Sequence, residues 1–177
     1  MSDESVVIIK GHKYRYRYDY MTGKTIYLGP VGSAPDIGEE EFLSILKRQY
    51  TSMEDIIGNP FVDEKIRESL SPGPTEVFYM KKFMWNRKVQ FNKELPTIKD
   101  IKNFDEYAHL ASIKEEDPDK IFHALQGDFW SPNGEARDMI RGKGLGHTSM
   151  SIGDVVHLPD GRWLVTDTIG FKEIGRD

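Results

Sequence analysis

The stretch KYRYRYDY, residues 13–20, alternates strictly between charged residues and tyrosine. This period of two predicts a β-strand, because successive side chains of a strand point to opposite faces of a sheet. The tyrosines therefore share one face and the charged residues share the other. Residues 21–24 (MTGK) predict a turn, since Gly23 suits a left-handed position in a hairpin loop, and residues 25–28 return as the partner strand.

Elements on either side of the hairpin complete a small α+β unit. Residues 6–9 (VVII) form a short apolar run that predicts a strand before the hairpin. After it, apolar residues at helical spacing predict a helix over residues 39–50, with three glutamates at its positively polarised N-terminal end. We expect a second, shorter helix over residues 63–70.

The clearest boundary in the chain is Ser71-Pro72-Gly73-Pro74. Two prolines around a glycine cannot continue a helix, so this tetrapeptide predicts a linker or a sharp turn. We therefore expect a first domain over residues 1–70, a linker over residues 71–75 and a second domain over residues 76–177. Both pieces are near the lower size limit for independent folding.

The second domain is expected to be a mixed α/β unit that ends in an antiparallel hairpin, so the predicted fold class is α+β with two small domains. Asp117-Pro118 and Ser131-Pro132 each join an N-cap residue to a proline at the first helical position, which predicts two helices. In chain order, the expected elements are strands near 77–79, 83–85 and 107–113, helices over 117–125 and 131–140, a hairpin of 151–158 and 162–168, and a short strand at 171–174.

Composition limits the classes of protein that the chain can represent. It has 177 residues, a formal net charge of −5, 38% hydrophobic residues and no cysteine. A disulfide framework, a thiolate zinc site and a cysteine nucleophile are therefore excluded. Its apolar runs are shorter than a membrane helix requires, and its first residues include acids where a signal peptide carries basic residues. We expect a cytoplasmic protein without a membrane contact, located in the host cytoplasm if it is viral.

Positive charge is concentrated in two stretches of this acidic chain. Residues 6–28 carry five Lys or Arg against one acid, and residues 81–102 carry seven against two. Aromatic residues are interleaved with both, as on surfaces that neutralise phosphates and stack on unpaired bases. In the second stretch these aromatic residues are Phe83, Trp85 and Phe91. In the first stretch, the predicted phosphate contacts are Lys13, Arg15, Arg17 and Lys24, and the predicted stacking residues are Tyr16 and Tyr18.

An alternative interpretation of the first stretch needs no nucleic acid. The basic residues are then the solvated face of an amphipathic hairpin, and the tyrosines cover the helix at residues 39–50. The open edge of such a hairpin also makes a second copy of the chain a candidate partner, because unpaired strand edges associate readily.

A cluster of polar residues near the end of the chain suggests a third hypothesis. His147, Ser151 and Asp154 lie close together in sequence, and these residue types suggest the base, nucleophile and acid of a hydrolase. A triad is recognised by geometry, however, and the chain has no Gly-x-Ser-x-Gly nucleophile elbow. We therefore place a hydrolase behind the two binding hypotheses.

Other conspicuous residues predict structure rather than chemistry. The glycines of residues 141–149 follow a helix and lack the Gly-Lys-Ser/Thr order of a phosphate loop, so we expect a helix stop followed by a turn. The five histidines show no metal-binding spacing, and no metal site is expected. Phe129, Trp130 and Trp163 are interpreted as packing residues.

Three segments carry a resemblance to a known family. Residues 131–137 (SPNGEAR), 146–156 (GHTSMSIGDVV) and 168–174 (TIGFKEI) resemble the YodL-like domain family of plasmids, conjugative elements and viruses, over about residues 80–174. The resemblance implies a mobile-element context and assigns no reaction and no catalytic residue. Residues 6–32, with YRYRY, TGK and YLGPVG, are similar to small hairpins of archaeal mobile-element proteins, some of which occur beside integrase or transposase modules.

Together these patterns predict a non-enzymatic accessory protein of a virus, plasmid or integrated element, without a cofactor. We expect it to bind DNA or RNA through the basic hairpin and a protein partner through its C-terminal domain. The alternative function is that of an acidic protein that docks on a host protein and modulates it without binding nucleic acid, which the net charge of −5 favours.

Overall fold

The computed structural model describes residues 4–48, 50–81, 95–103 and 105–177. These residues form a three-stranded antiparallel sheet at the N-terminal end, a five-stranded antiparallel sheet, and short helices. The α+β class and the antiparallel hairpin at the C-terminal end are thereby confirmed. None of the helices in the described ranges has both the length and the apolar character needed to cross a bilayer.

The first sheet consists of β1 (Glu4–Ile9), β2 (His12–Asp19) and β3 (Lys24–Pro30) in that spatial order. β1 and β2 are joined by the two residues Lys10 and Gly11, which have φ angles of 50° and 78°. Positive φ at both positions is the signature of a type I′ turn, whose twist matches that of the flanking strands. The sheet is therefore built from two short-range hairpins in succession.

Helix α1 (Gly38–Lys47) covers one face of this sheet. Phe42, at the centre of the helix, is fully buried, and its ring centroid lies 4.8 Å from that of Tyr27 on β3. The other fully buried members of this small core are Val7, Ile9, Tyr14 and Phe61. The alternation in β2 thus gives the sheet one apolar face that packs on α1 and one charged face that points away from it.

The second sheet has the spatial order β5-β4-β6-β7-β8. Its strands are β4 (Pro72–Met80), β5 (Tyr107–Ile113), β6 (Val155–His157), β7 (Arg162–Thr166) and β8 (Phe171–Arg176). The other helices in the described ranges are α2 (Met53–Ile57), α3 (Glu64–Leu70), α4 (Ile98–Ile101), α5 (Pro118–Ala124), α6 (Gly127–Trp130) and α7 (Arg137–Gly142).

The two faces of the second sheet contribute to different cores. Val156 and Leu164 belong to the larger core, which also contains buried residues of α2, α3, α5, α6 and α7. Their chain neighbours Val155 and Val165 point to the opposite face, where α4 adds Ile101 to a smaller core. Alternation along β6 and β7 therefore separates the two layers of side chains.

The segment expected to be a linker is part of a strand. Residues 72–75 begin β4, and Pro72 and Thr75 both pair with Ile113, so that Gly73 and Pro74 form a bulge. Helices α2 and α3, which we assigned to the first domain, pack in the core of the second sheet. The expected linker over residues 71–75 is corrected accordingly, because a bulge tolerates proline and glycine inside a strand pair.

Two other expectations differ from the structure at their boundaries. The predicted helix over residues 131–140 begins only at Arg137, because Gly134 adopts a φ of 80° and Ser131 Oγ accepts a hydrogen bond from the Ala136 N–H at 2.9 Å. The strand predicted over residues 151–158 is restricted to β6, since Gly153 has a φ of 95°. Both errors come from local turns that interrupt a plausible pattern.

The remaining elements lie close to their predicted positions. β5 spans the predicted residues 107–113, and α5 starts at Pro118 with the Asp117 carboxylate accepting from two backbone N–H groups. α7 ends at Gly142, and Gly144 follows with a φ of 73°, as expected for a helix stop. The strand predicted at residues 83–85, and most of the basic stretch at residues 81–102, lie outside the described residues.

Candidate nucleic-acid interface

The charged face of β2 points away from α1. Tyr14, on the opposite face, is only 1% exposed, whereas its neighbours Lys13 and Arg15 are both exposed. Arg17 is half-buried on the charged face, and Lys24 is exposed at the start of β3, opposite Asp19. The four predicted phosphate contacts are therefore brought together on one sheet face.

The cations of this face have few carboxylate partners. Among the described residues, Lys13, Arg15 and Lys24 form no ion pair, and the Nε of Arg17 has no hydrogen-bond acceptor. Of the nearby acids, Glu4 lies opposite Arg17 in the strand register. The face thus carries positive charge that the protein does not neutralise, which is the electrostatic requirement for contact with phosphates.

The loop between β2 and β3 is held by the second acid of the face, Asp19. Its carboxylate accepts hydrogen bonds from the Thr22 hydroxyl at 2.8 Å and from the Met21 N–H at 2.9 Å. These bonds, the one from the Thr22 side chain first, hold the pKa of Asp19 below its ordinary value. The negative charge of Asp19 is therefore directed into the loop, which leaves Lys24 without a close partner.

The tip of this hairpin exposes large side chains. Tyr20 is 79% exposed and Met21 is 94% exposed, and the Tyr20 ring meets that of Tyr18 edge to face at a centroid separation of 5.1 Å. Tyr18 itself is 45% exposed. The tip therefore presents two aromatic rings to solvent next to the basic face, an arrangement suited to stacking on bases.

The tyrosine face divides into a buried part and an exposed part. Tyr16, predicted to stack on bases, packs on Phe42 with a centroid separation of 5.8 Å, and the Tyr14 hydroxyl donates to the Pro35 carbonyl at 2.9 Å. Tyr16 is therefore half-buried against the core under α1, which leaves less of its ring open to a base than the rings of Tyr18 and Tyr20, and its predicted contact stays a prediction. Tyr18 stays a candidate, and Tyr20, which the sequence places on the same face, joins it because it is 79% exposed and contacts the Tyr18 ring.

His147 and Asp154, two members of the hydrolase hypothesis, form a close pair. Asp154 is fully buried. Its carboxylate accepts hydrogen bonds from the backbone N–H groups of Met80 and Ser151, each at 2.8 Å, and is hydrogen-bonded to the His147 Nε2 at 2.8 Å. Burial raises the pKa of the Asp154 carboxyl, and these three hydrogen bonds oppose the shift. The pair fastens the loop before β6 to the end of β4.

The third member, Ser151, does not complete a triad. Its hydroxyl donates to the Ser149 carbonyl at 2.9 Å, and in the described part of the chain no serine hydroxyl lies within hydrogen-bond distance of the His147 ring. The His147 ring stacks instead on Tyr79, with centroids 5.0 Å apart and planes 9° apart. The geometry favours a structural role for this cluster, since a nucleophile must contact its base.

Two of the other histidines, His109 and His157, each pair with one carboxylate. His109 contacts Glu76, which also accepts from the Ser112 hydroxyl at 2.8 Å, and His157 lies 3.1 Å from Asp177. No group of three or more His, Asp or Glu side chains suitable for a metal ion is found across residues 4–48, 50–81, 95–103 and 105–177. Two ligands from the protein fall short of the three or four that zinc sites use.

The three aromatic residues that we interpreted as packing have different environments. Trp130 is fully buried, with its indole N–H donating to the Thr148 carbonyl at 3.2 Å, and Trp163 is 5% exposed and stacks on His157. Phe129 is 40% exposed. Trp130 and Trp163 are therefore packing residues, whereas Phe129 lies on the surface.

No protein-family model, curated protein or solved structure matches the chain. The resemblance to YodL-like domains and the mobile-element context that it implies therefore stay predictions.

Proposed function

We propose that this protein binds nucleic acid through the charged face of its first sheet. Lys13, Arg15, Arg17 and Lys24 contact phosphates, and Tyr18 at the hairpin tip, with Tyr20 beside it, stacks on bases. The observation that carries the proposal is the set of exposed cations Lys13, Arg15 and Lys24, which form no ion pair among the described residues and lie on the sheet face opposite α1. The protein acts without catalysis, as an accessory protein of a virus, plasmid or integrated element, and its C-terminal part binds a protein partner.

The net charge of −5 does not oppose this function, because the attraction is local. Counterion release depends on the cations that meet the phosphates, and charges farther than a Debye length of about 8 Å are largely screened at physiological salt. The acids of the chain are spread over both sheets and the helices. Binding is therefore expected to be salt-sensitive and to lack strong sequence preference.

The double substitution Arg15→Ala and Arg17→Ala is expected to weaken binding equally across nucleic-acid sequences. Each arginine that neutralises a phosphate contributes about one to the slope of log K against log salt, so the slope is expected to fall by about two. Fluorescence anisotropy with labelled single- and double-stranded DNA and RNA, titrated at several salt concentrations, measures this slope.

The matched control for the arginine variant is Arg141→Ala with Lys172→Ala. Both residues are exposed and lie on α7 and β8, outside the first sheet. This pair removes the same net charge, so a slope equal to that of the wild type shows that the location of the charge matters. An unchanged slope in the Arg15 and Arg17 variant removes the hairpin from the interface.

The alternative, docking on a host protein without nucleic acid, is favoured by the net charge of −5. Capture of partners from a host lysate, with and without nuclease, separates the two functions. A partner that survives nuclease treatment, together with no DNA or RNA binding at low salt, favours docking.

A further inference from the structure

An apolar groove adjoins the basic face of the first sheet. It lies between Ile8 of β1, helix α3, helix α5 and Phe129 of α6, and has a volume of about 570 Å³. Ile66 and Ala124, both buried, belong to its lining, and we refer to it as the Ile8–Phe129 groove. The volume is within the range of roughly 300–1,000 Å³ that ligand clefts occupy.

The groove is continuous with the predicted phosphate contacts. Ile8 is the register partner of Lys13, and because Val7 and Ile9 point into the core under α1, Ile8 and Lys13 share the charged face. A strand of nucleic acid that runs along β2 from Arg15 to Lys13 therefore reaches the groove at the Ile8–Lys13 pair.

An aromatic pair forms one side of the groove. The ring of Phe129 lies 4.2 Å from that of His123, centroid to centroid, and Phe129 is 40% exposed. His123 and Ala124 reach the groove from the face of α5 that also carries Lys120, since residues three and four apart on a helix are neighbours. The planes of the two rings are tilted by 41°, so the half-exposed Phe129 ring, beside an apolar floor, is the surface that suits the face of an unpaired base.

The charges around the groove agree with a neutral occupant. Lys65 and Lys120 line it together with Asp63 and Asp119, so cations and acids balance. The Asp63 carboxylate accepts from the Lys65 N–H at 2.9 Å as the N-cap of α3. The excess positive charge lies instead on the neighbouring sheet face, around Lys13. This distribution of charge suits phosphates on the sheet face and an uncharged group in the groove.

We infer that the Ile8–Phe129 groove holds an unpaired nucleobase of a single strand whose phosphates contact the charged face of the first sheet. This inference rests on the proposed nucleic-acid binding and narrows it to single-stranded DNA or RNA. A base reaches the groove only when it is not paired, because a paired base has its faces covered by its neighbours in the duplex. The protein therefore prefers single strands to duplexes of the same length.

The test is the substitution Phe129→Ala, measured by fluorescence anisotropy with a labelled oligothymidine and with a duplex of the same length. Loss of one base–aromatic contact is expected to weaken single-strand binding about tenfold and to leave duplex binding unchanged. Phe129→Tyr keeps the ring and is expected to remain near the wild-type affinity. Circular dichroism and thermal melting verify that the variants are folded.

Phe122→Ala is the matched control, because Phe122 is on α5, is 38% exposed and contacts Phe171 outside the groove. It is expected to bind oligothymidine as the wild type does. Equal affinity of Phe129→Ala and wild type for oligothymidine overturns the inference, as does equal affinity of the wild type for strand and duplex. A groove that takes a helix of a protein partner gives the first of these results.

Failure of this inference is distinguishable from failure of the proposed function. If the Arg15 and Arg17 variant has the lower salt slope expected of it while Phe129→Ala binds as the wild type does, the sheet face binds nucleic acid and the groove holds no base. If the wild type binds neither strand nor duplex at low salt, the proposed function is wrong and the base site is wrong with it.

Discussion

Replacing Asp154 by alanine is expected to lower the free energy of unfolding by about 3–5 kcal/mol. The substitution leaves the buried N–H groups of Met80 and Ser151 without an acceptor, and it also removes the partner of His147. An unsatisfied buried donor costs about 1–3 kcal/mol, so the loss of the acceptor for two N–H groups and of the partner of His147 lowers the stability substantially. For a chain of this size, the melting temperature is expected to fall by roughly 10 °C or more, which differential scanning calorimetry measures.

His147→Ala serves as the comparison for this prediction. The His147 side chain is 22% exposed, so water reaches the space that it leaves, and the Asp154 carboxylate keeps its two backbone N–H bonds; the expected loss is about 1–3 kcal/mol, less than for Asp154→Ala. Asp154→Asn keeps one acceptor oxygen and is expected to lie between the two alanine variants. If the free energy of unfolding of Asp154→Ala is within 1 kcal/mol of the wild-type value, the carboxylate does not hold β4 and the loop before β6 together.

Replacing Gly73 by alanine is expected to destabilise the protein by about 3 kcal/mol, at the upper end of the cost of overpacking. A Cβ at this position would lie 2.6 Å from the Ile113 carbonyl oxygen and would overlap the backbone of Lys114. Backbone atoms cannot move aside as a flexible side chain can, so the bulge and its pairing with β5 must shift. Urea unfolding followed by tryptophan fluorescence measures the change in midpoint.

Gly142→Ala is the matched control for the glycine substitution. Gly142 is the last residue of α7, and a Cβ there has no other atom within 4 Å. Alanine favours the helix over glycine by about 1 kcal/mol, so this variant is expected to be as stable as the wild type or slightly more stable. Equal stabilities of the Gly73 and Gly142 variants would show that the β4 bulge opens to admit a side chain.

Local pattern was sufficient where an element's own residues decide its shape. The alternation at residues 13–20 predicted β2, and Asp117-Pro118 predicted the start of α5, since period and capping act within a few residues. The capping box of Ser52 and Asp55, which begins α2, was readable in the same way and was missed. Its helix is only five residues long, too short for an apolar period to appear.

Pattern failed where distant segments decide the outcome. Pro72-Gly73-Pro74 has the composition of a linker, and only pairing with residues near 113 makes it a strand with a bulge. Tyr16 and Tyr20 have the same place in the alternation, yet Tyr16 packs on Phe42 of α1 whereas Tyr20 is 79% exposed. The Ile8–Phe129 groove is formed by β1 and by residues more than a hundred positions later in the chain. A short sequence motif cannot predict a contact over that separation.

The position of β4 in the second sheet has a consequence for synthesis of the chain. β4 is nine residues long and lies between β5 and β6. Its second neighbour, β6, can therefore pair with it only after residue 157 has been synthesised and has left the ribosome. The first sheet is complete much earlier, because its strands are joined by short loops. A nascent chain therefore carries one finished sheet and one strand with an unpaired edge, and chains that terminate early are expected to aggregate through that edge or to require a chaperone.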